Sequence, residues 1–275
     1  MLSIIIPCYN DGQYLLEAVN SAKAQTYCPL EIIVVDDYSN DSSTVKLLAE
    51  LDGVIVLHNK GVKGVSSARN TGIAHAAGEY ILPLDADDKI DPTYAEKAVN
   101  ALKKDQTLGI CYCLARHFGL KRGRWLLPHF SCDNLLFDNM IFVSAVFRKK
   151  DWQRLGGFDE NIIRGMEDYA FWLKLAYSGK KVLCLPEYLF FYRVRAGSRT
   201  AGLSDVNNLN AALLDVYSSC KLIFQANAHK LLIRCHELQH MRAREHGLVS
   251  YKLLSWIFGL EWKIKTFIKR FLGRN

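Results

Sequence analysis

The 275-residue sequence has no CxxC spacing among its eight cysteines, no uncharged run long enough to span a bilayer, and no GxxxxGK[ST] loop. Each absence excludes something. Cys8, Cys28, Cys111, Cys113, Cys132, Cys184, Cys220 and Cys235 are dispersed, most of them in apolar runs, which argues against a zinc site or a disulfide framework. Buried free thiols in a reducing compartment are expected instead. No uncharged stretch reaches the roughly 18 residues that a membrane-spanning helix needs. The opening MLSIIIPCYN has no basic region and too short an apolar run for a secretion signal, so a cytoplasmic location is expected. The missing Walker loop removes the P-loop nucleotide hydrolases. Internal repeats and low-complexity linkers are also missing. Acid is scarce in the last fifth of the chain: from Lys221 onward, eleven Lys or Arg face three Glu, a net +8, whereas the preceding 220 residues hold 24 bases against 25 acids, a net −1. The basic character therefore belongs to the tail.

What is present is ordinary globular composition, half hydrophobic and 23% charged, enough for one large domain or a domain with an appendage. Short apolar runs at 3–7, 30–37, 54–59 and 80–85 alternate with helical patterns at 13–25, 44–51 and 66–77. Near-continuous apolar strands separated by helices predict a parallel sheet covered on both faces, an open α/β architecture. A helix is expected near 93–104, further strands in LGICYCLARHF and MIFVSAVF, a turn at GGFDE (156–160) and an amphipathic helix at 167–179. KVLCLP and YLFFYRV read as strands again, and the chain reads as helical beyond about Ala201. Two regions follow: 1–200 as an α/β domain and 201–275 as a helical extension with a basic amphipathic end.

In open α/β sheets, ligands bind beyond the carboxyl ends of the strands. Here those ends carry Tyr9 and Asn10, Asp36 and Asp37, Asn59 and Lys60, then Asp85 and Asp87. The stretch YILPLDADDKIDP ends a buried strand in four carboxylates, Asp85, Asp87, Asp88 and Asp91. Asp85-x-Asp87 is a spacing at which two carboxylates can flank one Mg²⁺ or Mn²⁺, whose remaining ligands are water and phosphate oxygens. The alternative is a solvated turn or a helix start before Pro92, where acids are welcome. VVDDYSND (34–41) offers an Asp to a nucleobase imide or a ribose hydroxyl, or simply Asx-turn chemistry. KGVKGVSSARNTGI (60–73) brings two lysines, two glycines and Arg69 to a helix start, which suits phosphates.

Taken in order, SIIIPCYN, EIIVVDDYSND, SSARNTGI, GEYILPLDADD, LGGFDE, GMEDYAFWLKLAYSG and YRVRAGS resemble family 2 glycosyltransferases of the GT-A fold, over roughly residues 2–198. The resemblance implies an open, mostly parallel sheet flanked by helices, a nucleotide-sugar donor (a UDP-sugar is expected), a divalent metal and an inverting transfer to a hydroxyl. It places Pro7 and Tyr9 at the base pocket, Asp37 on the uracil, Arg69 on base or ribose, and Asp85 on the ribose or a metal-bound water. Asp87 is implied as the metal ligand, Asp168 as the general base and Glu167 as an acceptor contact. At one point the sequence departs from the family, which often has a His two residues after the Arg of YR. Arg195 stands there, and a guanidinium has no lone pair for a metal. Arg195 is therefore expected to contact the diphosphate directly.

Two other classes compete. A nucleotidyltransferase making sugar nucleotides usually carries a Gly-rich, Arg-containing signature after the first strand, which PCYNDGQYL lacks. A catalytically silent module with the same fold has no need of Asp85, Asp87 and Asp168. At the tail, Leu253, Trp256, Ile257, Leu260, Ile264 and Phe267 recur at helical spacing among Lys252, Lys263, Lys265, Lys269 and Arg270. Residues 252–275 are thus expected to meet an anionic membrane surface, or else to pack on protein. No nucleic-acid-binding motif is visible. Lipid-linked or glycan acceptors at the inner face of the cell membrane fit this pattern.

Overall fold

A computed structural model describes residues 1–197 and 202–240. The amphipathic segment expected at 252–275 lies outside the described residues. The strands are β1 (Leu2–Cys8), β2 (Leu30–Asp36), β3 (Ile55–His58), β4 (Tyr80–Pro83), β5 (Lys89–Ile90), β6 (Leu108–Gly119), β7 (Gly123–Trp125), β8 (Val146–Arg148) and β9 (Lys181–Val194). The helices are α1 (Gly12–Lys23), α2 (Ser42–Glu50), α3 (Val65–His75), α4 (Tyr94–Lys104), α5 (Cys132–Leu135), α6 (Lys149–Leu155), α7 (Glu167–Ala176), α8 (Val206–Ser219) and α9 (Lys221–Ala226).

Among the described residues the strands form one sheet in the order β3-β2-β1-β4-β8-β6-β9-β5, with β7 paired to β6. The first four strands are parallel. β8 is antiparallel to both β4 and β6, β9 is parallel to β6, and β5 is antiparallel to β9. The sheet is thus mixed, with its parallel character concentrated in the N-terminal half. β1 is buried along its whole length, as a central strand covered on both faces must be. α1 covers it with Leu15, Ala18, Val19 and Ala22, the i, i+3, i+4, i+7 stripe of a helix lying on a core. α7 runs through the interior, burying Tyr169, Phe171, Trp172 and Leu175.

MIFVSAVF makes a strand only at its end, where β8 begins at Val146. A tight turn in which the Ala145 N–H donates to the Val143 carbonyl (2.8 Å) takes the preceding residues off the ladder while they stay buried. The runs KVLCLP and YLFFYRV are one continuous strand, β9, whose pairing with β6 slips register at three points, and such bulges bend the ribbon. Cys8, Cys28, Cys111, Cys113, Cys184, Cys220 and Cys235 form no disulfide.

The chain divides into two compact units, Met1–Gln225 and Ala226–Asn275. α8 belongs to the first because Ala212 and Val216 bury themselves against α7. In the second unit residues 228–240 are helical. No helix among the described residues is long and apolar enough to cross a membrane.

Candidate active site

A cleft of about 610 Å³ opens beyond the carboxyl ends of β1, β2 and β4. Parallel pairing makes those ends coincide, so Tyr9, Asn10, Asp37, Asp85 and Asp87 share one cavity despite their distance in sequence. Asn59 stays beneath it and Lys60 is not in its wall; Lys63 lines it instead. The turns that border the site carry Asn10, Tyr38 and Met166 at φ 55°, 63° and 69°, a conformation side chains rarely adopt outside constrained sites. Asn10 is held there because its Oδ1 accepts from the Asn40 and Asp41 amides (2.9 and 3.0 Å), tying the first two strand ends together.

Pro7, Tyr9 and Asp37 stand at one end. Tyr9 is 40% exposed, and the Lys63 ammonium lies 3.6 Å from its ring centroid. Asp37 is 5% exposed; its Oδ1 accepts from Asn59 Nδ2 (2.7 Å) and the Gly64 amide (3.1 Å). Among the described residues Oδ2 has no protein donor, so this carboxylate is fixed by one oxygen and open at the other. Asp41, the other acid of that run, is the N-cap of α2, accepting from the Thr44 amide (2.8 Å) and the Ser43 hydroxyl (2.6 Å). Those hydrogen bonds lower its pKa to about 2.

The four acids of YILPLDADDKIDP have separate fates. Asp91 accepts from the Thr93 amide and hydroxyl at the start of α4. Asp88 is buried and accepts from the Arg193 amide (2.7 Å), and burial raises its pKa well above the carboxylate range. Asp85 and Asp87 face the cleft. Burial and the neighbouring Asp85 raise the pKa of Asp87, while Arg195 opposes. Arg195 donates through Nε to Asp87 (2.5 Å) and pairs through a terminal nitrogen with Asp11 (2.9 Å). Asp11 is likewise raised by burial, with Arg195 pulling it down and Asp87 and Asp85 pushing it up.

This is a crowded acidic wall with one guanidinium in it, and its oxygen donors suit a hard divalent cation. Among the described residues no three ligating side chains cluster. A cation held by Asp85 and Asp87 would therefore complete its shell with water and phosphate oxygens, as Mg²⁺ and Mn²⁺ commonly do.

Behind the cleft is a buried ion triad. Arg69, with no solvent exposure, donates to Asp85 Oδ1 and to Glu167 Oε1, both at 2.6 Å. Burial alone would lower its pKa, but the two carboxylates outweigh it and hold the guanidinium above its ordinary value. Arg69 and Glu167, assigned from the sequence to nucleoside and acceptor, are turned inward on each other and are not among the cleft-lining residues.

Asp168 also stands outside that wall, in the first turn of α7, one residue beyond the triad. Its Oδ1 accepts from the Tyr169 amide (2.7 Å) and its Oδ2 lies 3.4 Å from Asn139 Nδ2. Burial, then the adjacent Glu167, push its pKa up to about 7, against the pull of Arg69. A carboxylate poised near neutrality is suited to taking a proton.

Asp11 and Asn139 escaped the sequence reading, which places Asn59 at a strand end and counts Lys63 among the lysines of 60–73. Asp11 carried a signal there, as an acid at the strand end PCYND; Asn139 is visible only through its contact with Asp168 across the fold.

The family model for Glycosyl transferase family 2 matches residues 3–169. The chondroitin synthase of Pasteurella multocida is 32% identical over 187 residues, covering 66% of this chain and 19% of its own, so the chain spans about a fifth of that relative. Glycosyltransferase GlyG of Streptococcus pneumoniae is 27% identical over 219 residues, 72% of each chain. In fold, the chain is similar to S. aureus TarS 1-349 in complex with UDP-GlcNAc, with a TM-score of 0.63 at 20% identity over 83% of this chain and 69% of that one. The mannosyltransferase PcManGT of Pyrobaculum calidifontis, in complex with GDP-Man and Mn²⁺, gives a TM-score of 0.59 at 21% identity over the same shares.

Proposed function

The chain belongs to glycosyl transferase family 2, and from that premise we propose that it is an inverting glycosyltransferase moving a sugar from a UDP-sugar to a hydroxyl of a glycan or lipid-linked acceptor. The observation that carries the proposal is the link between the cleft and α7: Arg69 joins Asp85 in the cleft wall to Glu167, and Asp168 is the next residue. On this reading the donor site and the proton acceptor are both tied to the Arg69 guanidinium, the second through its neighbour Glu167. The bound UDP-GlcNAc of TarS supports a UDP-linked donor.

In this scheme Tyr9 and Pro7 flank the uracil, and the free oxygen of Asp37 accepts from its imide N–H. Asp85 and Asp87 would hold a divalent cation, a reading supported by the Mn²⁺ of PcManGT, and the ion would supply charge stabilisation for the departing diphosphate. Arg195 transfers from Asp87 to the diphosphate. The acceptor oxygen forms its bond to the anomeric carbon from the face opposite the leaving group. The bond to the phosphate oxygen breaks, UDP leaves with its electron pair, and the hydroxyl proton passes to Asp168. A positioned base of this kind contributes about 10²–10⁴-fold. Arg69 and Glu167 position and do not touch the reacting atoms. The basic tail, residues 252–275, brings the enzyme to the inner face of the cell membrane, where lipid-linked acceptors are found.

A thermal-shift screen of nucleotide sugars with and without Mn²⁺ tests the donor assignment, because a ligand that binds only the folded state raises its stability by mass action. UDP-sugars are expected to raise the melting temperature, more so with Mn²⁺. An unchanged melting temperature at saturating concentrations of every nucleotide sugar would remove the proposal.

A further inference from the structure

A cationic surface outside the cleft has no part in that chemistry. Between Asp105 and Asp133 the sequence contains no acid, yet it contains Arg116, Lys121, Arg122 and Arg124. These belong to the β6–β7 hairpin. Arg116 and Arg124 stand directly opposite each other in its ladder, where like charges repel. Both guanidiniums lie over the ring of Tyr188 on β9, 4.7 and 5.5 Å from its centroid. An aromatic face attracts cations without neutralising them, so the fold gathers the two charges and keeps them. Among the described residues none of the four bases has a carboxylate partner, and Glu187, beside Tyr188, is already held by Lys97 at 2.5 Å.

The same hairpin exposes two large apolar side chains, Leu120 (77%) and Leu126 (82%), at either side of its basic tip. Trp125 holds it firmly, with ring centroids 4.9 Å from Tyr192, 5.3 Å from His117 and 6.2 Å from Phe142. Tyr192 also lines the cleft.

We propose that the β6–β7 hairpin docks on an anionic lipid bilayer, its four bases on headgroup phosphates and Leu120 and Leu126 at the acyl boundary. Charge complementarity selects an anionic partner, and the two leucines select a bilayer over a soluble anion. Stable peripheral anchoring takes two signals, and the hairpin supplies one that is independent of the tail. Because Trp125 packs on Tyr192, docking sets the cleft beside the lipid surface. The inference does not depend on the identity of the donor.

Co-sedimentation of the full-length protein with phosphatidylcholine vesicles, with and without phosphatidylglycerol, tests it. The variants are Lys121→Glu with Arg122→Glu, and Leu120→Ser with Leu126→Ser. All four side chains are exposed, so both proteins should melt as wild type does. The wild type is expected to bind the anionic vesicles. Charge reversal should weaken that binding by about tenfold or more, and the leucine pair should weaken it several-fold with the charge intact. Wild-type partitioning by both variants, or no binding by the wild type, would overturn the proposal. So would a loss confined to heparin binding, which would assign the surface to an anionic polysaccharide.

Discussion

Arg69 holds two carboxylates at once from a position without solvent exposure, and the site depends on that arrangement. A buried charge is tolerated because each partner sits at 2.6 Å. Removing one member leaves the others unpaired in a poorly solvated place. Arg69→Met is expected to cost about 3–5 kcal/mol in unfolding free energy, measured by denaturant titration. Arg69→Lys should recover only part of this, because an ammonium lacks the planar fork that reaches two carboxylates. A loss within the error of the titration would mean that the triad holds nothing together. The sequence displayed Arg69 as a base near a helix start but not its partners, since Glu167 lies 98 residues away. For the same reason Asp11 and Arg195 showed no sign of meeting. Asp85 and Asp87 were legible because strand-end position and DxD spacing are local facts.

At the level of elements, the N-terminal half of the sheet was readable because its strands are apolar runs broken by amphipathic helices. The later half was harder. An apolar run such as MIFVSAVF is equally compatible with a strand and with buried irregular chain, and only the turn at Val143–Ala145 decides between them. The hairpin strand β7 is three residues long and leaves almost no periodicity to detect. Helix α3, which carries Arg69, approaches the sheet through Gly72. A Cβ there would stand 2.6 Å from Ile5 Cγ2 and 2.9 Å from Val35 Cγ2. Gly72→Ala is therefore expected to destabilise the protein by about 1–3 kcal/mol through overpacking, despite the higher helix propensity of alanine. Calorimetry checks the sign: a raised melting temperature would show that α3 moves off the sheet at little cost.

For the molecule as a whole, the expected α/β architecture is present, and its carboxyl edge gathers acids from separate strands into one cleft. The tail's basic pattern was plain in the sequence because charge asymmetry needs no fold to be seen, whereas the cationic face of the hairpin appears only when β6 and β7 pair. The most direct test of the account uses the assembled protein: hydrolysis of a UDP-sugar with water as acceptor, for wild type and Asp168→Asn, with donor affinity measured alongside. Asp168 must be ionised to accept a proton, so the wild-type rate should rise about tenfold per pH unit at low pH and level off above about 7. Asp168→Asn should bind the donor as wild type does and turn it over about 10²–10⁴-fold more slowly. Equal turnover by the two proteins, or a wild-type rate indifferent to pH across that range, would contradict the central claim.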